Sequence, residues 1–184
     1  ITKTNDMETE KKFSKDLDFL KKHTDIVLLK EGQSALVIAP QFQGRVMTST
    51  TNLSEGDGFG WINKKVIETG FLSNEERKGR IEDQIYVFGG EERFWLGPEG
   101  GQFSLFFKEG DSFDFSNWKT PAVIDTEAFS IVSQSESSIQ FKHKCELINK
   151  SGTIFKMGIG RSVTILNKEA VEKIIDKEIS EKID

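Results

Sequence analysis

Apolar residues change their period along the chain. Phe13, Leu17 and Leu20 recur at helical spacing inside a charged run, which predicts a helix over 8–22 with one apolar stripe. From Ile26 the pattern shortens. Residues 26–29 and 35–39 flank Glu31-Gly32-Gln33 and read as a hairpin, with Pro40 stopping its second strand. A turn at Gln43-Gly44-Arg45 leads into a third strand over 46–50. Residues 54–60, with Gly56, Gly58 and Gly60, form a loop, and 61–69 suit a strand or a short helix closed by Gly70. The run 74–83 is a charged, solvated connector, and 110–119 is a polar and aromatic loop.

Further on, 129–133 and 138–147 read as paired strands, 149–152 as a turn and 153–166 as strand. Asn167 is a good N-cap, and Val171, Ile174, Ile175 and Ile179 give an amphipathic helix after it. Short alternating segments with turn residues between them predict a mainly β, antiparallel sandwich. The expected organisation is a helical segment over 1–24, a sandwich domain over 25–166 and a C-terminal helix over 167–184.

Residues 89–107 hold the densest chemistry. Gly89-Gly90 and Gly100-Gly101 mark sharp turns, and Pro98 takes the chain out of a sheet or to its edge. Phe94, Trp95 and Leu96 read as a short buried strand or loop core. Residues 102–107 read as a strand with Phe103, Leu105 and Phe107 on one face. Arg93 is a planar five-donor fork, Trp95 a flat apolar face and Glu99 an acceptor or base. Such a trio can bind a sugar, hydroxyls on the charged groups and a ring face on the indole. Gln102, at the start of the following strand, joins the candidates. The same residues also suit a purely structural role, with Trp95 in the core and Arg93 paired to Glu91, Glu92 or Glu99.

Composition narrows the classes. The chain has 15 Phe against 1 Tyr, so phenylalanine is expected to fill much of the core. A net charge of −5 lacks the basic footprint of a nucleic-acid binder. Cys145 is the single cysteine, which excludes an intrachain disulfide and a cysteine metal cluster. It sits in the alternating run Ile139, Phe141, His143, Cys145, Leu147 and reads as a core thiol. No His-rich zinc pattern or regular calcium loop occurs, so neither metal nor cofactor is expected. No apolar run reaches the roughly 18 residues that span a bilayer. An opening at Ile1 suits a chain trimmed of a leader.

Two motifs carry a resemblance. Val37-Ile38-Ala39-Pro40 followed by Gln43-Gly44-Arg45-Val46 resembles the opening of galactose mutarotase-like domains, where a turn leads to a Gly-Gly-Arg-Ile strand; Gln43 replaces the first glycine. Gly89-Gly90-Glu91-Glu92-Arg93-Phe94-Trp95 with Pro98-Glu99 is similar to a Gly-Gly-x-Arg-x-Trp…Pro-Glu stretch in that superfamily, with one extra residue before the arginine. The resemblance spans roughly 25–165. It implies an antiparallel β-supersandwich with a sugar-sized cleft, and a bacterial secreted, lipid-anchored or periplasmic setting. Such domains exceed 184 residues when complete, so it implies either the N-terminal part of a larger fold or a compact variant.

The resemblance implies a carbohydrate partner. Arg93 would bind hydroxyls, Trp95 would stack, Glu99 would accept or act as base, and Arg45 would support them from a neighbouring strand. His143 faces either core or cleft. An active enzyme would be an epimerase of the mutarotase kind or a glycoside-processing one. Aldose mutarotases use a glutamate base and histidines, whereas this chain has only His23 and His143, neither in a matching motif. The alternative is a non-catalytic interaction module of the cell envelope that presents loops 75–80 and 111–119. A third reading, glycoside hydrolysis by a pair among Asp57, Asp83, Glu99, Asp111 and Asp114, has no spacing that selects the pair.

Overall fold

The structure is a computed structural model that describes residues 12–179; residues 8–11 of the expected first helix lie outside the described residues. Helix α1 (Phe13–His23) buries Phe13, Leu17 and Leu20 on one stripe and ends in Lys21, Lys22 and His23, where cations suit the helix dipole. The expected hairpin is β1 (Val27–Glu31) and β2 (Ser34–Ala39), turning at Gly32 with φ +58°. After a 3₁₀ turn at Pro40–Phe42, β3 (Arg45–Thr50) pairs antiparallel with β2.

Residues 61–69 hold both of the expected alternatives. Strand β4 (Trp61–Ile62) runs into α2 (Lys64–Thr69), capped by Asn63 and closed at Gly70 with φ +70°. The charged connector contains α3 (Asn74–Arg77), fixed by a capping box in which Ser73 and Glu76 bond reciprocally. Strand β5 (Gly89–Gly90) pairs with β4. Strands β6 (Ser130–Gln134), β7 (Ser138–Ile148) and β8 (Ile154–Thr164) form an antiparallel sheet, and α4 (Lys168–Ile175) follows Asn167, whose Oδ1 accepts from Ala170 N at 2.9 Å.

The architecture is mainly β: antiparallel sheets of three, two and three strands, with short helices. The β1–β3 sheet is buried on both faces, which explains the unbroken apolar run over 35–39. Val37, Ala39 and Met47 pack with Phe13, Leu17 and Leu20 of α1. Val27, Leu29, Ile38 and Val46 pack with Ile139 and Phe141 of β7 and with Phe106, Phe107 and Phe129. The N-terminal helix is therefore a layer of the core. Each of the Val, Leu, Ile, Met and Phe side chains so withdrawn from water contributes about 1.5–3 kcal/mol.

One expectation is corrected. Residues 102–107 form no strand, because their polar groups bond locally. Ser104 N donates to Gly101 O, Leu105 N to Pro98 O, and Phe106 N to Ser104 Oγ. The expected alternation fails with it: Phe106 and Phe107 are buried while Phe103 is exposed. Phenylalanine does fill much of the core, as expected. Phe13, Phe42, Phe88, Phe106, Phe107, Phe129 and Phe141 are core, but Phe59, Phe103, Phe113 and Phe115 are more than half exposed.

Gly89 is constrained twice. Its φ is +87°, and a Cβ there would stand 2.2 Å from Trp61 O of the paired strand. Gly89→Ala is expected to lower unfolding stability by about 3 kcal/mol or more. Urea denaturation checks this; a loss under about 1 kcal/mol would show that the β4–β5 contact is soft.

Candidate functional site

Arg93 emerges just after β5 and turns inward. Its Nη2 donates to Ile124 O at 2.9 Å and to Asp125 Oδ1 at 2.6 Å, and its Nη1 donates to Tyr86 O at 3.3 Å. Asp125 in turn accepts from Tyr86 N at 3.1 and 3.2 Å. Asp125 is buried and Arg93 mostly so, and together they tie segment 121–127 to the stretch that carries Tyr86 and Arg93. The paired acid is Asp125, which the sequence reading did not consider, rather than Glu91, Glu92 or Glu99. Burial pushes the Asp125 carboxyl above its ordinary value, against the pull of Arg93, the Tyr86 amide and Arg45.

Trp95 and Glu99 lie beside this latch. The Arg93 guanidinium sits 4.7 Å from the Trp95 ring centroid, and Phe106 meets the indole at 5.3 Å. Trp95 Nε1 donates to Glu99 Oε1 at 2.7 Å, holding the exposed carboxylate over the turn. The trio is thus brought together, with its principal polar groups engaged inside the protein. Gln102 stands apart, in an exposed turn where its carbonyl accepts from Ser151 Oγ at 2.7 Å.

Arg45 is 2 % exposed. It donates to Gly89 O at 2.9 Å and to Gln43 Oε1 at 3.3 Å. Burial first, and the like charge of Arg93 second, push its pKa down to about 10. Gln43 holds a left-handed backbone, φ 62°, at the position where the resemblance expects glycine. Its side chain offsets that strain by accepting from Arg45 and donating to Glu127 O at 2.8 Å. Arg161 of β8 donates to Gly44 O at 3.1 Å and pairs with Glu92, which also accepts from Val46 N at 2.9 Å.

A cleft of about 790 Å³ opens between the inward side of β7 and segment 105–127. Its floor includes Phe106, Phe107, Val123 and Leu147, and its polar groups include Lys108, Glu109, Asn117, Lys119 and Glu127. Glu127 Oε2 lies 2.6 Å from Nε2 of His143, whose ring stacks on Phe129 at 4.9 Å and is nearly parallel to it. His143 is mostly buried and Glu127 is half exposed. Cys145 is half-buried and lines the same cleft, and burial together with the Glu127 carboxylate raises its thiol above the ordinary value. His23 stacks on Phe19 at 4.5 Å, away from the cleft lining. The carboxylates weighed for glycoside hydrolysis are engaged locally: Asp57 with Lys12, Asp83 with Lys119, Asp111 with Lys108 N, Asp114 with Ser112. Among the described residues no cluster of His, Cys, Asp or Glu has the arrangement of a metal site, and no helix is long and apolar enough to cross a membrane.

Asp125 and Glu127 are the site residues that the sequence reading missed. Their signal is slight: two carboxylates directly after the apolar run Ala122-Val123-Ile124.

The model of a family of unknown function (DUF6786) matches residues 11–184, and the chain belongs to that family. No curated protein and no solved structure matches the chain.

Removing Arg93 would leave Asp125 buried without its cation. Arg93→Ala is expected to cost about 3–5 kcal/mol at neutral pH. The Asp125 pKa, already raised in the fold, would rise further. Its stabilising contribution is then complete below the ordinary Asp value and is lost as pH rises through the raised one. The deficit of Arg93→Ala against wild type should therefore shrink on acidification, measured by denaturant unfolding from neutral pH to pH ~4. A deficit independent of pH would mean that Asp125 does not sense the arginine.

Proposed function

We propose that this chain is a carbohydrate-recognising or carbohydrate-processing domain of the galactose mutarotase-like kind, with the sugar held in the cleft between β7 and segment 105–127. The observation that carries the reading is the composition of that cleft. Its volume lies in the range of small-molecule sites. Its floor is apolar, suited to a sugar's C–H face, and its rim supplies both donors and acceptors for hydroxyls. Support for the supersandwich type comes from two three-stranded antiparallel sheets that share one buried layer. The cell-envelope setting rests on the resemblance and belongs to the same proposal.

Within this reading the base role expected of Glu99 passes to Glu127. Glu127 lines the cleft and touches a histidine, whereas Glu99 is bonded to Trp95 outside it. For anomer exchange, the Glu127 carboxylate would take the proton of the anomeric hydroxyl. The C1–ring-oxygen bond would then break as the C1 carbonyl forms, and the ring oxygen would take up a proton from solvent water. Reclosure on the other face of the carbonyl returns both protons. The Glu127–His143 contact gives a path for that exchange. Arg93 and Trp95 act from behind the cleft, because Trp95 packs on Phe106 of its floor.

A second reading, a non-catalytic interaction module, is favoured by one observation: Arg93 bonds to Asp125 and two backbone carbonyls, and Trp95 bonds to Glu99, so the trio is engaged within the chain. Calorimetric titration with a panel of aldoses and aldose acids separates the two. Saturable binding of one sugar class is expected, weakened roughly ten-fold or more in Glu127→Gln. Anomer exchange followed by NMR should then exceed the buffer rate for that sugar in wild type and fall in Glu127→Gln. Binding without accelerated exchange selects the non-catalytic module, and no binding across the panel rejects the carbohydrate reading.

A further inference from the structure

Two aromatic contacts lead outward from the cleft floor. Phe106 stacks on Trp118 at 5.0 Å with planes 18° apart, and Trp118 stacks on Phe115 at 5.9 Å with the same tilt. Phe107 meets Phe113 edge-on at 5.1 Å. Phe106 and Phe107 line the cleft, whereas Phe115 is 63 % and Phe113 57 % exposed. The inner rings are thus core and the outer rings lie largely in water.

The loop that carries the outer rings is held in place. Asn117 Nδ2 donates to Ser112 O at 3.2 Å and to Ser112 Oγ at 3.0 Å, and Ser112 also bonds Asp114. Lys119 N donates to Phe106 O at 2.8 Å, and Lys119 pairs with Asp83. Lys150 lies 4.8 Å from the Phe113 ring centroid and occupies one of its faces. Phe115 is different: Trp118 covers one side and its exposure leaves the ring largely open to solvent. A fixed, nearly parallel ring stack that ends in an exposed ring costs little entropy to bind against.

We propose that Phe115, with Phe113 beside it, is a stacking platform continuous with the cleft, and that the ligand is a glycan chain rather than a single sugar. One unit occupies the cleft and a following unit lies on Phe115. The chemistry commits to a saccharide because the platform adjoins a cleft whose rim offers Lys108, Glu109, Asn117 and Lys119 for hydroxyls. A flat apolar ring on the loop that also supplies Asn117 and Lys119 to the rim suits pyranose rings, which present C–H faces and equatorial hydroxyls together. This inference rests on the carbohydrate reading above and adds chain length to it.

The test is affinity against chain length. Homo-oligosaccharide series of glucose, galactose and mannose, from monomer to hexamer, are titrated into wild type, Phe115→Ala and Phe115→Trp. Affinity is expected to rise roughly three- to ten-fold from monomer to short oligomer in wild type. In Phe115→Ala that rise should vanish while monomer affinity stays unchanged, and Phe115→Trp should keep it. Phe115 is exposed, so the substitution leaves the core intact; matching unfolding curves confirm that. Monomer binding with no length dependence in wild type overturns the platform and leaves the carbohydrate reading standing. The same flat profile is expected if the rings serve a protein partner. Length dependence that survives Phe115→Ala also overturns it. No binding by any member of any series removes both.

Discussion

The largely buried pair of Arg93 and Asp125 is the constraint on which the centre of this molecule depends. Segment 81–90, the 93–107 stretch and segment 121–127 contain little regular structure, so ladder hydrogen bonds cannot hold them together. One guanidinium and one carboxylate do so by bonding to each other, to two carbonyls and to an amide. The arrangement is electrically expensive. Burial keeps the Asp125 carboxyl above its ordinary value even with an arginine at 2.6 Å, and it pulls the Arg45 pKa well below the usual arginine range. A pair of this kind adds little net stability over an apolar substitute, but breaking it is costly. Its contribution is specificity: few other placements of segment 121–127 would satisfy all of these groups at once. That placement in turn sets Glu127 opposite His143.

The turn at Gln43-Gly44 shows how a departure from a motif can be accommodated. A glycine would enter the left-handed region without strain, whereas glutamine enters it at a cost of about 1–3 kcal/mol. In return its amide bridges Arg45 to the backbone at Glu127. Gly44 cannot vary in the same way, since a Cβ there would come within 2.8 Å of the Phe141 ring. The two sheets are therefore close enough at this point that only a bare backbone fits between them. Arg161, which reaches from β8 to Gly44 O, fastens the same junction from the other sheet.

Much of the fold was legible in the sequence. The hairpin, the third strand, the long strand pair and the Asn167 cap follow from period and turn residues, which act over a few positions. The C-terminal apolar stripe was legible too, although Ile174 and Ile175 on α4 stay exposed. Residues 102–107 were misread because Phe103, Leu105 and Phe107 alternate as a strand would. Nothing in that pattern shows that Ser104 and Gly101 will take the amides. The site was legible only in part. Gly89-Gly90, Arg93, Trp95 and Glu99 do converge, but the partner that decides what Arg93 does lies 32 positions away. Asp125 and Glu127 carry only a slight local signature, two carboxylates after the apolar run 122–124, and their importance arises from tertiary placement.

That division has a chemical consequence. Residues that fix a backbone must have their donors and acceptors filled, whereas residues that meet a ligand must keep some unfilled. Arg93, Arg45 and Gln43 belong to the first kind: most of their polar groups bond within the chain. In the proposed reading the cleft rim is of the second kind. Glu127 is half exposed with one oxygen on His143, and Lys108, Glu109 and Asn117 border open space. The motif-rich stretch thus shapes the cleft from behind, through Trp95 on Phe106, and in the proposed reading the groups that would meet a sugar come from segments with little sequence signature. A substitution in the motif should then act first on stability and reach binding only through the fold. One at Glu127 or Phe115 should act on binding with the fold intact.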